Sequence, residues 1–222
     1  IQAGYGDTGK HGRAVIRRMR RNAKTAIHLA ENAMAILDSR TAGSDFESCP
    51  ISAIVVTALV EVFDLIDPDI SETIQVQKTV AGLNLILARD RVCLKIDQAI
   101  WGQVMECDPD KVRQVLINLL LNAMKFRNSE VRLKVSLADG QVRFDVIDDG
   151  EGIAAEDQPF IFKKRFQVKS EHAFPIRGHG IGLAGAQALL ESVNGKLMLE
   201  SSCQGETCFS AVCPIRGKGA GG

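Results

Sequence analysis

One helix followed at once by one β-hairpin constrains the fold of this chain more than any other feature. The segment "DPDKVRQVLINLLLNAMKF" (108–126) has the periodicity of an amphipathic helix, with Asp108 predicted as its N-cap and Pro109 at its first position. The segment "EVRLKVSLADGQVRFDVIDDG" (130–150) contains two alternating strands that join at Asp139-Gly140. Because the apolar stripe of the helix and one face of the strands must cover each other, an α+β two-layer sandwich is predicted.

The rest of the chain supplies further elements to the same layers. Residues 180–194 are predicted to form a helix that stops at Asn194-Gly195, whereas residues 154–177 show no clean periodicity. The other predicted elements are a buried helix "ISAIVVTALVEVFDLI" (51–66), a strand "TIQVQKTV" (73–80), one or two strands in "NLILARDRVCLKID" (84–97), and the final strands "KLMLESS" (196–202) and "TCFSAVCPI" (207–215).

A long helix is predicted over residues 10–40, ahead of this domain. Its apolar positions recur with heptad spacing, at Ile16, Met19, Ala23, Ile27, Ala30, Met34 and Leu37. A seam of this length needs a partner helix or a second subunit, and we expect a homodimer through this region. "TAGSDFESCP" (41–50) interrupts the pattern and is predicted to be a linker. The predicted division is a helical region over 1–45, a globular domain over 46–216 and a disordered tail over 217–222.

Composition excludes several classes of partner. Lys+Arg and Asp+Glu both number 27, so the formal net charge is zero and no nucleic-acid partner is expected. No apolar run approaches the roughly 18–20 residues of a membrane span, so we expect no direct membrane span in this chain. We expect a cytoplasmic location, either as a separate protein or as the soluble part of a membrane-bound receptor. The six cysteines lack metal-ligand spacing and are predicted to be reduced core thiols. They are Cys49, Cys93, Cys107, Cys203, Cys208 and Cys213.

Three polar side chains are predicted to share one face of the helix over 108–126. Asn118 and Asn122 are four residues apart, and Lys125 follows three residues later. An amide oxygen is a suitable ligand for hydrated Mg²⁺ that carries nucleotide phosphates, and a lysine can contact a phosphate oxygen. Since Asn is a poor former of helix interiors, the pair favours a functional role over an ordinary amphipathic helix.

Two glycine-containing segments add candidate ligand-binding positions. "DDGEGI" (148–153) follows a predicted strand, so Asp148 could accept a hydrogen bond from an exocyclic amine such as adenine N6, and its glycines would let a flat base approach. "GHGIGLAG" (178–185) precedes a helix whose N-terminus favours anions, but it lacks the G-K-[ST] ending of a Walker A loop. Thr207 is either a hydroxyl at this site or an ordinary strand residue.

The order of these segments resembles the N, G1, F and G2 boxes of the sensor histidine kinases, which are members of the GHKL ATPase superfamily. An N-x-x-x-N-A-x-K-F helix is followed by D-x-G-x-G-I, by "FIFKKRF" (160–166) and by G-x-G-x-G-L. The resemblance covers about residues 50–215. It implies a GHKL-type catalytic domain that binds ATP and Mg²⁺ and passes the γ-phosphoryl group to a histidine, for relay to the receiver domain of a response regulator.

The resemblance also implies roles for individual residues. Asn122 would hold Mg²⁺, Asn118 would assist near the phosphates and Lys125 would contact a phosphate. Asp148 would read the adenine amine, and Thr207 would lie near the adenine pocket.

Glycines and a lid complete the site that the resemblance implies. Gly150 and Gly152 would shape the base pocket. Gly178, Gly180 and Gly182 would hinge a lid over residues 154–177 and offer N–H groups to the phosphates. The lid residues that could meet the γ-phosphate are Lys163, Lys164, Arg165, Lys169, His172 and Arg177.

The phosphoacceptor histidine that such a kinase needs is not identified by the sequence. The family's H-[ED]-x-x-[NT] box is missing, because neither His11 nor His28 is followed by an acidic residue. The end of the long helix looks like the second helix of the family's dimeric hairpin. The phosphoacceptor is therefore expected before residue 1 or on a partner, with His11 and His28 as weak candidates.

Three interpretations stay open at this point. The first is the kinase core of a sensor histidine kinase. The second is a histidine-kinase-like regulatory protein that binds nucleotide, or docks a response regulator, without phosphorylating itself. The third is another GHKL protein, such as an anti-sigma-factor serine kinase or a chaperone-type ATPase. The upstream heptad helix argues against the third, as does Asn118, because the ATP-hydrolysing relatives carry a glutamate base there.

Overall fold

The computed structural model describes residues 8–38, 45–163, 180–202 and 205–215. The helices are α1 (Thr8–Asp38), α2 (Ile51–Ile66), α3 (Pro68–Gln75), α4 (Val80–Leu87), α5 (Gln98–Trp101), α6 (Pro109–Phe126) and α7 (Gly182–Ser192). The strands are β1 (Glu47–Pro50), β2 (Val92–Ile96), β3 (Val104–Cys107), β4 (Val131–Ala138), β5 (Gln141–Asp148), β6 (Lys196–Ser202) and β7 (Thr207–Pro214).

A five-stranded mixed sheet in the order β2-β4-β5-β7-β6 forms one layer. Only β2 and β4 pair in parallel; the other neighbours are antiparallel. The β4–β5 hairpin turns at Asp139 and Gly140, whose φ values of 51° and 71° are those of a type I′ turn. Helix α6 contacts β4, β5 and β7, and α7 contacts β6 and β7. The predicted α+β two-layer sandwich and its hairpin are therefore confirmed.

The core lies between the sheet and the helices. Alternate residues of the hairpin strands point into it, and Val131, Leu133 and Phe144 are all fully buried. The intervening residues form a polar outer face, on which Arg143 pairs with Asp145 and Glu200. Helix α6 begins as predicted, because the Asp108 side chain accepts a hydrogen bond from the Lys111 N–H and Pro109 occupies the first turn.

Helix α1 has two different faces. Four large residues of the predicted heptad are exposed in the single chain, with Ile16 65%, Met19 66%, Ile27 58% and Met34 58% accessible. Another face packs against α2 and α7, and there Asn32 is only 1% exposed. No helix among the described residues is long and apolar enough to cross a membrane. The five described cysteines are free thiols, and Cys203 lies outside the described residues.

The strand predicted over residues 73–80 is wrong. "TIQVQKTV" forms the end of α3, a turn and the first residue of α4. In a strand, Ile74 and Val76 would share a face, but Ile74 is fully buried and Val76 is 70% exposed. Helix caps override the short alternating pattern, since Asp67 caps α3 and Thr79 caps α4 through hydrogen bonds to the N–H groups of Asp69 and Gly82.

"NLILARDRVCLKID" contains one strand, within the predicted one or two, because its first four residues belong to α4 and Val92–Ile96 forms β2. Part of the predicted linker is also a strand: Glu47–Pro50 pairs antiparallel with Val104–Cys107 in a separate two-stranded sheet. The predicted tail over 217–222 lies outside the described residues.

Candidate nucleotide-binding site

The first part of the candidate site lies at the end of β5. Asp148 is the last residue of that strand and is 4% exposed. Its Oδ1 accepts a hydrogen bond of 3.0 Å from the Gly150 N–H, and its carboxylate accepts another from the Thr207 side chain. Thr207 is its direct partner on β7. The sheet register therefore brings together two residues that lie 59 positions apart in the chain.

The environment of Asp148 changes its acidity. Burial raises the pKa of this carboxyl group to about 6, although the Gly150 N–H and the Thr207 hydroxyl partly oppose the shift by stabilising the ionised form. A buried carboxylate that keeps lone pairs for a ligand is suited to accept a hydrogen bond from an amine. We call this cluster of Asp148, Thr207 and Gly150 the base end.

Gly150 is a position where only glycine fits. A Cβ at this residue would lie 2.3 Å from the carbonyl oxygen of Phe126, the last residue of α6. The loop after β5 therefore packs directly on the end of α6. Gly152, two residues on, has a φ of +83°, in the left-handed region that favours glycine.

The second part of the candidate site lies on α6, and we call Asn118, Asn122 and Lys125 the phosphate end. The side chain of Asn122 is half-buried and forms no hydrogen bond with another described residue. The Nζ of Lys125 lies 4.5 Å from the centroid of the Phe126 ring, and burial lowers the pKa of this lysine. Both side chains are thus present on the helix that packs against the loop of the base end.

Asn118 has a different environment from Asn122, one helical turn away. It is 3% exposed, and its amide pairs reciprocally with the amide of Asn32 on α1. Asn32 Nδ2 donates to Asn118 Oδ1 at 2.9 Å, and Asn118 Nδ2 donates to Asn32 Oδ1 at 2.7 Å. Two buried amides that satisfy each other avoid the penalty of unpaired polar groups and join α1 to α6.

Further polar contacts extend this junction along α1. His28, one turn before Asn32, has its Nδ1 2.7 Å from Nε2 of Gln114, one turn before Asn118. Burial lowers the pKa of His28, and a hydrogen bond with Asn118 partly offsets this effect. Lys24, one turn earlier again, pairs with Asp64 of α2. We call the side chains of Lys24, His28 and Asn32 the polar stripe of α1.

Helix α7 begins beside the same junction. A Cβ on Gly182, its first residue, would lie 3.2 Å from Oδ1 of Asn118, and one on Gly185 would lie 3.0 Å from Oδ1 of Asn32. The N-cap residue Ile181 supplies no side-chain hydrogen bond, so the first N–H groups of α7 are not capped by that side chain. Gly180 has a φ of +68°. This arrangement brings the predicted glycine segment next to the phosphate end.

Much of the predicted lid lies outside the described residues, and so does the predicted hinge residue Gly178. Five candidate phosphate contacts of the lid are also outside: Lys164, Arg165, Lys169, His172 and Arg177. The described part ends at Lys163, whose Nζ lies 4.4 Å from the centroid of the Phe160 ring. Phe162 of the same segment packs edge-on against Phe209 of β7, with ring centroids 6.2 Å apart. The side chain of His11 also lies outside the described part.

The residues present fit a magnesium ion that is bound chiefly through a nucleotide. Within the described ranges, no group of three or more His, Cys, Asp or Glu residues could hold a metal by itself. Mg²⁺ commonly keeps several waters and takes one or two protein oxygens plus substrate phosphates. The half-buried amide of Asn122 can supply one such oxygen.

The sequence patterns did not identify Asn32 as part of the site. It lies outside the apolar heptad and resembles an ordinary polar helix residue. The available signal was the spacing of His28 and Asn32, which matches the four-residue spacing of Gln114 and Asn118. Two polar pairs of equal spacing can meet when helices pack, but the sequence does not specify which helices do so.

Comparison with known proteins gives a family for this arrangement. The sequence profile of the family described as "Histidine kinase-, DNA gyrase B-, and HSP90-like ATPase" matches residues 107–217. The sensor protein kinase CarS of Pseudomonas aeruginosa is 35% identical over 118 residues, which are 53% of this chain and 26% of CarS. The adaptive-response sensory kinase SasA of Nostoc sp. is 30% identical over 151 residues, or 63% of this chain and 37% of SasA.

Solved structures show the same fold. The histidine kinase AdeS of Acinetobacter baumannii superposes with a TM-score of 0.62 at 17% identity, covering 98% of this chain and 88% of AdeS. The catalytic domain of the histidine kinase ThkA superposes with a TM-score of 0.55 at 20% identity, covering 77% of this chain and 96% of that domain. Full-length ShkA, in complex with AMPPNP, gives a TM-score of 0.59 at 21% identity, covering 91% and 38% of the two chains. The chain spans about a quarter to two-fifths of the length of the curated relatives named above.

Proposed function

The chain belongs to the histidine kinase-, DNA gyrase B- and HSP90-like ATPase family, and we propose that it is the ATP-binding kinase core of a two-component sensor histidine kinase. In this role it transfers the γ-phosphoryl group of ATP to a histidine, for relay to an aspartate of a response regulator. The observation that carries the proposal is the buried Asp148 carboxylate, held by Gly150 and Thr207 beside the end of the helix that bears Asn122 and Lys125.

The base end binds the adenine in this proposal. The carboxylate of Asp148 accepts a hydrogen bond from the exocyclic amine, and the Thr207 hydroxyl holds the carboxylate in place. The absence of a side chain at Gly150 lets the loop lie against α6, and Gly152 lets the chain turn past the base. ATP binding by this fold is supported by ShkA, whose structure contains AMPPNP.

The phosphate end positions the triphosphate. Asn122 supplies an amide oxygen to Mg²⁺, which neutralises phosphate charge when bound, and Lys125 contacts a phosphate oxygen. The first N–H groups of α7, which the Ile181 side chain does not cap, would face the same anion, assisted by the helix dipole. Phosphoryl transfer depends mainly on positioning and charge neutralisation, and these groups would contribute both to the donor half of the reaction.

Asn118 can approach the phosphates in this proposal only after α1 moves. Its amide is occupied by Asn32 in the structure, so an approach of Asn118 to the phosphates requires that pair to separate. The described arrangement is then a resting form in which α1 covers part of α6. Phosphotransfer proceeds from a form in which the polar stripe of α1 is released.

The exposed heptad face of α1 is the proposed dimer interface. Four large apolar side chains on it, Ile16, Met19, Ile27 and Met34, are each more than half exposed in the single chain. Pairing with the same helix of a second copy removes this apolar surface from water. The receiver domain of a response regulator is the proposed recipient of the phosphoryl group.

Phosphotransfer is tested with a fusion that supplies an acceptor histidine. The chain is joined behind a hairpin helix that carries an H-E-x-x-N/T box and is incubated with γ-labelled ATP and Mg²⁺. We expect acid-labile, base-stable label on the histidine of the added helix. ATP binding without such label in the fusion contradicts the kinase proposal.

A regulatory role without autophosphorylation is the second candidate function. The observation that favours it is the buried Asn32–Asn118 pair, because it occupies one of the candidate phosphate-binding side chains. In that role, nucleotide binding would change how α1 packs on α6. The unlabelled but ATP-binding outcome of the fusion experiment supports this candidate.

A further inference from the structure

We propose that Asp149 is a positioning residue that fixes the base end and the phosphate end at the separation that ATP requires. This inference rests on the proposed function, since it concerns how the same chain holds the two ends of one nucleotide. Asp149 directly follows Asp148 in the sequence, but the two carboxylates have different partners.

The side chain of Asp149 binds the connection between α6 and β4. Its Oδ1 accepts hydrogen bonds from three successive backbone N–H groups, those of Asn128 at 3.1 Å, Ser129 at 2.8 Å and Glu130 at 2.9 Å. The side chain of Asn128 returns a hydrogen bond of 2.8 Å to the backbone oxygen of Asp149. Four hydrogen bonds therefore join one residue after β5 to three residues after α6.

The hydrogen bonds of this cluster favour the ionised form of the Asp149 side chain. Partial burial of Asp149 alone would raise its pKa, but the N–H donors of Ser129, Glu130 and Asn128 outweigh burial and lower it. Asp148 has the opposite shift, because burial dominates there. Of two adjacent acidic residues, one is thus held ionised by the protein and the other remains suited to a ligand.

The position of this cluster determines its effect. The connection begins directly after Phe126, whose carbonyl oxygen leaves no room for a side chain on Gly150. The end of β5 is also held beside the start of β4, since Asp148 lies opposite Val131, the first residue of β4. Asp149 therefore joins the end of the helix that carries Asn122 to the end of the strand that carries Asp148.

A ligand that contacts both ends depends on their relative position, whereas a ligand that contacts one end does not. The binding of a two-ended ligand gains from the second contact only when the geometry allows both at once. ADP with Mg²⁺ meets both ends of the proposed site, and adenosine meets the base end alone. Loss of the Asp149 contacts should therefore lower the affinity for MgADP more than the affinity for adenosine.

The test measures the affinities of MgADP and adenosine by calorimetry, at a temperature well below the unfolding transition of each variant. The variants are Asp149→Ala, which removes the acceptor oxygens, and Asp149→Asn, which keeps one side-chain acceptor oxygen. Glu151→Gln is the matched control, because it removes the same charge from an exposed position in the same loop.

We expect Asp149→Ala to weaken MgADP binding about tenfold and adenosine binding less than about twofold. Asp149→Asn should weaken MgADP binding about threefold, because a neutral acceptor keeps weaker hydrogen bonds to the same N–H groups. Glu151→Gln should leave both affinities unchanged. If Asp149→Ala does not fold, the comparison rests on Asp149→Asn.

Two results overturn the inference while leaving the proposed function intact. One is an equal loss of adenosine and MgADP affinity, which assigns Asp149 a general role in folding. The other is unchanged binding of both ligands. If the unaltered chain binds neither ligand, the proposed function itself fails, and the positioning role fails with it.

Discussion

The base end and the phosphate end of the candidate site are assembled in different ways. The base end is held within the sheet and its loop, where Asp148 contacts Gly150 and the adjacent strand residue Thr207. The two asparagines of the phosphate end differ. The side chain of Asn122 is half-buried and has no hydrogen-bond partner among the described residues, whereas the side chain of Asn118 is buried and hydrogen-bonded to Asn32 of α1.

This difference indicates that the two ends respond to different parts of the molecule. The base end depends on strand register and is complete without α1. The phosphate end depends on where α1 lies, because one of its two asparagines is shared with that helix. Adenine recognition should therefore be constant, and any regulation by α1 should act on the phosphates.

The largest expected effect comes from removing the negative charge of Asp148 at the base end. Asp148→Asn removes the charged acceptor, so adenosine and MgADP affinity should both fall about 10- to 100-fold. The same variant should raise the free energy of unfolding by about 1–3 kcal/mol near pH 7.5, because the buried carboxylate is ionised there against its raised pKa. Calorimetry and thermal unfolding measure the two quantities. Intact binding in Asp148→Asn would show that the base end is assigned to the wrong residue.

The second effect concerns the phosphate end alone. Asn122→Ala should weaken ADP binding about tenfold when Mg²⁺ is present and have little effect when EDTA removes the metal, because the amide acts through the ion. Adenosine affinity should not change. Titrations of both ligands with and without Mg²⁺ measure this, and an equal loss under all conditions would assign Asn122 a structural role.

A smaller effect should follow from separating α1 from α6. Asn32→Ala leaves the buried amide of Asn118 without its partner, which should weaken the packing of α1 by about 1–3 kcal/mol. MgADP affinity should then rise about three- to fivefold, roughly 1 kcal/mol, with adenosine unaffected.

Hydrogen exchange of the α1 amides and calorimetry measure this change. The matched control is Asn22→Ala, which removes an exposed asparagine from the same helix. If exchange shows that α1 is released but MgADP affinity does not change, the phosphate end does not depend on α1.

The smallest effect is a pH dependence of the base end. The pKa of Asp148 is raised from 3.8 to about 6, chiefly by burial, so the carboxylate is protonated as the pH falls through 6. Adenosine affinity should decrease about twofold between pH 7.5 and 6, because about half of the carboxylate is protonated at pH 6. In Asp148→Asn this profile should be flat.

The stability of the unliganded protein should change in the opposite sense. Because the folded-state pKa of Asp148 exceeds the unfolded value, the folded protein binds the proton more tightly. The contribution of this group to stability is therefore fully present below about pH 4 and decreases as the pH rises through about 6. Thermal unfolding of the unaltered chain and of Asp148→Asn across this range isolates the contribution.

The local parts of this picture could be predicted from the sequence. Asp108 and Pro109 start α6, Asp139-Gly140 turns the hairpin and Asn194-Gly195 ends α7, because caps and turns depend on a few adjacent residues. The strand predicted around Ile74 was wrong, since two short caps outweighed a brief alternation. Asp148 and Thr207 were both predicted at the site, although their contact required the register of β5 and β7.

The contacts between distant helices could not be predicted in the same way. Asn32 and Asn118 are 86 residues apart, and Asn32 resembles an ordinary polar residue of an amphipathic helix. Asn118 was predicted at the site, but its sequence context does not indicate a partner on α1. Asp149 was equally hidden, because its role depends on three backbone N–H groups about 20 residues away. Neither the Asn32–Asn118 pair nor the hydrogen bonds of Asp149 produce a recognisable pattern in the neighbouring sequence.

Discrimination between ATP and GTP tests the central claim most directly. Asp148 is proposed to accept a hydrogen bond from the amine of adenine, and guanine presents a carbonyl oxygen at the corresponding ring position, which a carboxylate repels. We predict that the chain binds MgATP and that MgGTP binds at least about tenfold more weakly, with the difference lost in Asp148→Asn. Equal affinity of the unaltered chain for MgATP and MgGTP, or no binding of either, would contradict the account.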